Sequence, residues 1–109
     1  MSIIAYIPGA RTEEERRFHV PVATETFFAS YWQPAAEQLK LQWIPLFSTG
    51  VDIELVDLPD VLEELGRLKQ WGQQQAPSEQ REQMLSRIEL LETGLPRALE
   101  YGHRVVYIG

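Results

Sequence analysis

The sequence contains no cysteine. That absence excludes disulfides, thiolate zinc sites and thiol nucleophiles, and it fits a reducing compartment. Long apolar runs are also missing, since none approaches the roughly 20 residues that a membrane-crossing helix needs. The first eight residues, Met1 to Pro8, carry no basic leader, so the expectation is a cytoplasmic protein with no membrane partner. Histidine is scarce. His19 and His103 each stand without a second His or Cys three or four residues away, which leaves a metal no local ligand set. No G-x-S-x-G or S-x-x-K pattern surrounds Ser30, Ser48 or Ser86. Gly50, Gly66, Gly72 and Gly94 are single rather than part of a phosphate-cradling loop. No cofactor is therefore expected. Basic residues are in the minority, 10 against 16 acids, for a net charge of -6. This argues against a nucleic-acid backbone as partner and makes a basic protein surface the easier one to approach.

What is present suffices for one core. At 109 residues, 44% hydrophobic and 24% charged, the chain matches an ordinary globular protein, and one domain spanning residues 1–109 is expected to fold by itself. Residues 2 to 7 read as a buried strand closed by Pro8-Gly9. The loop after it carries Glu13-Glu14-Glu15-Arg16-Arg17, whose opposite charges nearly cancel. Phe18, Val20 and Val22 alternate with His19 and Pro21, a second strand that Pro21 confines to a sheet edge. From Thr24 or Thr26 a helix places Phe27, Phe28, Tyr31 and Trp32 on one face, and Pro34 either kinks it or opens a new one. Trp43 to Phe47 reads as a short extended piece. Val51, Ile53 and Leu55 alternate with Asp52 and Glu54, the pattern of a strand with one face exposed.

Residues 58 to 71 carry the clearest helical signal, with Leu58, Val61, Leu62, Leu65, Leu68 and Trp71 at steps of three and four. Gly72 is the expected stop. A second helix runs from about Ser78 to Thr93, ended by Gly94 and Pro96, and the short link makes the two an antiparallel hairpin. A further turn over Arg97 to Tyr101 leads to a terminal strand, Arg104 to Ile108. Strands at both termini and in the middle, with helices between, predict an α+β fold in which a small mixed sheet packs against a layer of helices.

The charge is uneven. Residues 50 to 75 hold six acids and two bases, whereas residues 1 to 49 and 76 to 109 are each at -1. Of the six, Asp57 is placed as a helix N-cap and Asp60 in the first helical turn, with Val56 and Val61 at staple positions. Glu63 and Glu64 are within reach of Arg67 at i,i+4 and i,i+3. Asp52 and Glu54 have no such duty. The segment reads either as a solvated face or as a protein-binding face made of Asp52, Glu54, Glu63 and Glu64, with Trp71 as an apolar anchor at the end of the helix.

The acidic segment from Phe47 to Trp71 and the closing strand ending in Ile108-Gly109 resemble the small acidic immunity proteins of bacterial polymorphic-toxin systems. The resemblance implies a non-enzymatic inhibitor that occludes a toxin domain, often a basic one, and it assigns no contact residue. Two other readings stay open. One is a small enzyme or ligand-binding domain with a pocket between sheet and helices that draws on His19, His103, Tyr6 or Tyr107. The other is a subunit that self-associates through its aromatic first helix.

Overall fold

Ile3 and Ala5 alternate with Ile4 and Tyr6, and in the computed structural model, which describes residues 1–109, this period of two forms strand β1, Ser2–Tyr6, with Ile3 and Ala5 buried. Three further strands, β2 (His19–Thr24), β3 (Val51–Ile53) and β4 (Val106–Ile108), complete a sheet in the order β2-β1-β4-β3. All three pairings are antiparallel, so the sheet is not the mixed one expected. β2 lies at an edge, as Pro21 requires, and Pro21 faces Ile4 beside a register shift between Ile3 and Ile4. The other edge, β3, is only three residues long, which limits the unpaired backbone it offers.

The helices cover one face of the sheet, and 25 buried apolar residues form a single cluster between the two layers. The first helical stretch begins where the Thr24 hydroxyl accepts the Phe27 N–H at 3.1 Å. It continues as α2 (Glu25–Phe27), one π turn (Phe28–Trp32) and α3 (Gln33–Gln38). Pro34 has no N–H to offer the Ser30 carbonyl. The wider turn, in which the Gln33 N–H reaches back five residues to Phe28, carries the helix past it without a break. Phe28 and Trp32 face the core with their rings stacked at 5.6 Å, while Phe27 and Tyr31 stack at 5.5 Å half-buried at its margin.

α4 (Leu58–Gln73) and α5 (Glu79–Ala98) form the expected hairpin. Lys69 reaches Glu92 at 3.2 Å, and Gly72 meets Met84 and Leu85, so the helices run antiparallel. Gly72 does not stop α4. A Cβ there would come within 2.8 Å of the Met84 methyl, so the glycine allows the close approach of the two helices. Nor do Gly94 and Pro96 stop α5. Leu95, Ala98 and Leu99 are buried, and this burial outweighs the one backbone bond Pro96 forfeits.

The predicted loop over residues 13–17 is a short helix, α1 (Glu13–Arg17), opened by a capping box between Thr12 and Glu15. Glu15 is buried and accepts N–H bonds from Arg11 at 2.8 Å and Thr12 at 3.2 Å. It also pairs at 3.0 Å with Arg104, a buried guanidinium 89 residues away that Glu14 approaches at 3.4 Å. The Arg11 N–H holds the Glu15 carboxyl below its usual value, with Thr12 and Arg104 assisting against the opposing effect of burial. A depressed carboxyl stabilises the fold above its unfolded-state value, and that stabilisation is lost as pH falls through the folded-state value. Denaturation midpoints measured from roughly pH 6 to pH 3 should therefore fall less steeply for Glu15→Gln than for the unaltered protein. An unchanged slope would remove Glu15 from the acid response.

Candidate functional site

The acidic segment is a strand, a tight turn and a helix. β3 ends at Ile53, whose side chain enters the core. Glu54 remains extended, and the chain then makes one 3-10 turn, Leu55–Asp57, before α4 begins with Pro59 in its first turn. The turn is closed on both sides. The Asp57 N–H donates to the Glu54 carbonyl at 3.0 Å, and the Asp57 carboxylate accepts the Glu54 N–H at 3.0 Å. Asp57 therefore acts within the turn rather than as the side-chain cap expected for α4.

This geometry reverses one expectation. Leu55 does not continue the inward face of β3, and Val56 does not staple onto Val61. Leu55 is 44% exposed and Val56 79% exposed, because the strand has ended and the turn projects both outward. Asp52, Glu54, Asp60 and Glu63 are exposed on the same strand, turn and first helical turns. Asp52, Glu54 and Asp60 pair with no cation, and Glu63 meets Arg67 only at 4.0 Å, on the surface. Leu55 also borders the Tyr101–His103 turn, since a Cβ on Gly102 would lie 3.9 Å from its Cδ2. The result is an aliphatic knuckle set among carboxylates.

Glu64 does not belong to that face. It is 8% exposed and turned inward, so the expectation that it contacts a partner or pairs with Arg67 is corrected. Its carboxylate accepts the backbone N–H groups of Gln42 at 3.0 Å, Trp43 at 2.8 Å and Ile44 at 3.2 Å. These donors open a 3-10 helix, Ile44–Ser48, where an extended piece was expected. One turn further along α4, Arg67 donates to the Leu39 carbonyl at 2.8 Å, at the end of α3. Lys40 follows in the left-handed region, φ 59°, and the Leu41 N–H returns to Ala36, a Schellman closure built on a lysine. An acid and a base on successive turns of α4 thus hold the two ends of one loop.

Trp71 is half-buried, its ring edge against Tyr31 at 5.7 Å, so it extends the Phe27–Tyr31 stack rather than standing free at the helix end. The residues of the enzymatic reading do not converge in a pocket between sheet and helices. Tyr6 and Tyr107 meet edge-on at 5.7 Å, with His19 opposite Tyr6 on β2, but on the face of the sheet away from the helices. His103 lies in the turn before β4 and lines a separate cleft, which His19 does not reach. The space between sheet and helices is filled by the core.

The exposure of Asp52, Glu54 and Glu63 matches the sequence expectation, whereas that of Leu55 and Val56 does not, because alternation continues on paper beyond the point where the strand ends. The chain matches no protein-family model, no curated protein and no solved structure.

Proposed function

We propose that this chain is a protein-binding, immunity-type inhibitor that occludes a basic bacterial toxin domain through the segment from Asp52 to Glu63. The observation that carries this reading is the exposed Leu55-Val56 knuckle flanked by Asp52, Glu54 and Asp60, carboxylates that no cation of the chain neutralises. An aliphatic pair left in water next to uncompensated charge has the composition of a contact patch with an apolar centre and a polar rim. The carboxylates would speed encounter with a basic surface, and desolvation of Leu55 and Val56 would set the dissociation rate. Trp71, packed against Tyr31 toward the other end of α4, and Glu64, turned inward, take no part in this arrangement.

The test is the gene beside this one. The reading expects it to encode a toxin whose C-terminal domain is basic, forms a one-to-one complex with this protein and loses its activity in that complex. A metabolic operon, or a neighbouring domain that does not bind, overturns it.

A further inference from the structure

Although the chain is acidic, one of its clefts is basic. The cleft, about 830 Å³, opens beyond the end of β1 and is lined by the Ile7–Thr12 loop, the first turn of α1 and the Tyr101–Val105 segment. A second hollow of about 310 Å³ adjoins it, sharing Ile7, Glu14 and Arg104 and adding Arg17 and Arg97. Together they present Arg11, Arg17, Arg97 and Arg104 against Glu14 and Glu15, an excess of two positive charges on a molecule of net charge -6. The size is that of a small-molecule site.

The guanidinium groups are unequally committed. Arg104 is 7% exposed and forms the floor, its Nε held by Glu15 at 3.0 Å and its Nη1 near Glu14 at 3.4 Å, while its Nη2 donates to no protein acceptor. Arg104 also lies 4.6 Å from the centroid of the Tyr101 ring, which fixes its plane from a second side. Glu15 is saturated by Arg11 N–H, Thr12 N–H and Arg104, so it offers little to neutralise the rest. The guanidinium groups of Arg11, Arg17 and Arg97 form no ion pair within the chain. A preset buried arginine with a spare donor, surrounded by exposed unpaired ones, is the arrangement that receives an oxyanion through charge-assisted, forked hydrogen bonds.

We infer that the cleft binds a small multivalent oxyanion, a ligand bearing phosphate or carboxylate groups, between Arg104 at its floor and Arg11, Arg17 and Arg97 at its rim. The site uses none of Asp52, Glu54, Leu55, Val56 or Glu63 as a lining residue, and it meets the face proposed above only where Leu55 borders the Tyr101–His103 turn.

Amide chemical shifts followed during titration with pyrophosphate and, separately, citrate, each against sodium chloride of matched ionic strength, test it on the full chain. Saturable shifts at Gly9–Thr12, Gly94–Ala98 and Tyr101–Val105 are expected with at least one oxyanion, and the stronger of the two identifies phosphate or carboxylate as the recognised group. The exposed pair Arg17→Ala/Arg97→Ala, which leaves the Glu15–Arg104 contact intact, should weaken binding about tenfold or more. Arg11→Ala serves as an independent second variant with the same expected direction. No saturation by roughly 10 mM of either anion, equal shifts with chloride, or affinity unchanged in both variants overturns the inference.

Discussion

Glu64→Ala should cost this protein about 3 kcal/mol of stability, whereas Glu63→Ala at the preceding position should cost less than about 0.5 kcal/mol. The two glutamates are adjacent in sequence and opposite in duty. Glu63 reaches Arg67 at 4.0 Å with its side chain 61% exposed, an ion pair that water and salt largely screen. Glu64 is the sole side-chain acceptor for three backbone N–H groups, and one of them belongs to Ile44, which is fully buried. Truncation leaves the Gln42 and Trp43 donors a route to water but strands the Ile44 N–H, and it frees the loop that α4 otherwise pins. Glu64→Gln retains one accepting oxygen and should cost roughly half as much. Urea denaturation with unchanged m-values separates the three variants. A Glu64→Ala midpoint equal to that of the unaltered protein would mean that the loop from Leu39 to Ser48 does not depend on this carboxylate.

A comparable loss, about 3 kcal/mol or roughly 15 °C in Tm, is expected for Gly50→Ala. Gly50 joins the 3-10 helix to β3 at φ 103°, a region that residues with a Cβ rarely enter. The added carbon would also overlap the Tyr107 hydroxyl and lie 2.9 Å from Cζ of its ring. Tyr107 cannot shift freely, because its ring meets Tyr6 edge-on and packs over Gly109. The two sources of cost are separable. Adding Gly50→Ala to a Tyr107→Ala background removes the overlap but keeps the backbone strain, so the alanine should cost less there, about 1 to 2 kcal/mol. Equal cost in both backgrounds would assign the whole effect to φ.

The fold was legible where a local pattern and burial agree. The three-four spacing of Val61, Leu65 and Leu68 predicts α4, and all three are buried. Pro21 places β2 at an edge because a missing N–H is a local fact with one structural consequence. Legibility failed where a distant partner decided the outcome. Trp43 to Phe47 is rich in residues suited to extended chain, yet it coils because a carboxylate 20 residues away in sequence from Ile44 accepts its first N–H groups. Gly94 and Pro96 are local breakers, but α5 passes them because Leu95 and Leu99 are buried against the rest of the core. Thr12-x-x-Glu15 is a readable capping box, masked by its place in a run of three acids and two bases. Its pairing with Arg104 joins opposite ends of the chain and leaves no mark in either stretch.

The candidate site divides the same way. The charge count located the segment, and the absence of any local duty for Asp52 and Glu54 marked them. Counting could not tell that Glu64 turns inward or that Leu55 and Val56 turn outward, since both depend on where β3 ends and on what lies beneath the first turns of α4.

If the chain is the inhibitor proposed, position rather than total charge makes this surface a binding face. Calorimetric titration of the proposed partner, a basic domain encoded by the neighbouring gene, with two triple variants tests it most directly. Asp52→Lys/Glu54→Lys/Glu63→Lys and Glu37→Lys/Glu79→Lys/Glu100→Lys alter net charge identically, but only the first touches the proposed face. The first should weaken binding by about 100-fold and flatten its salt dependence, while the second should change it by less than about fivefold. Equal losses from the two variants would contradict the account.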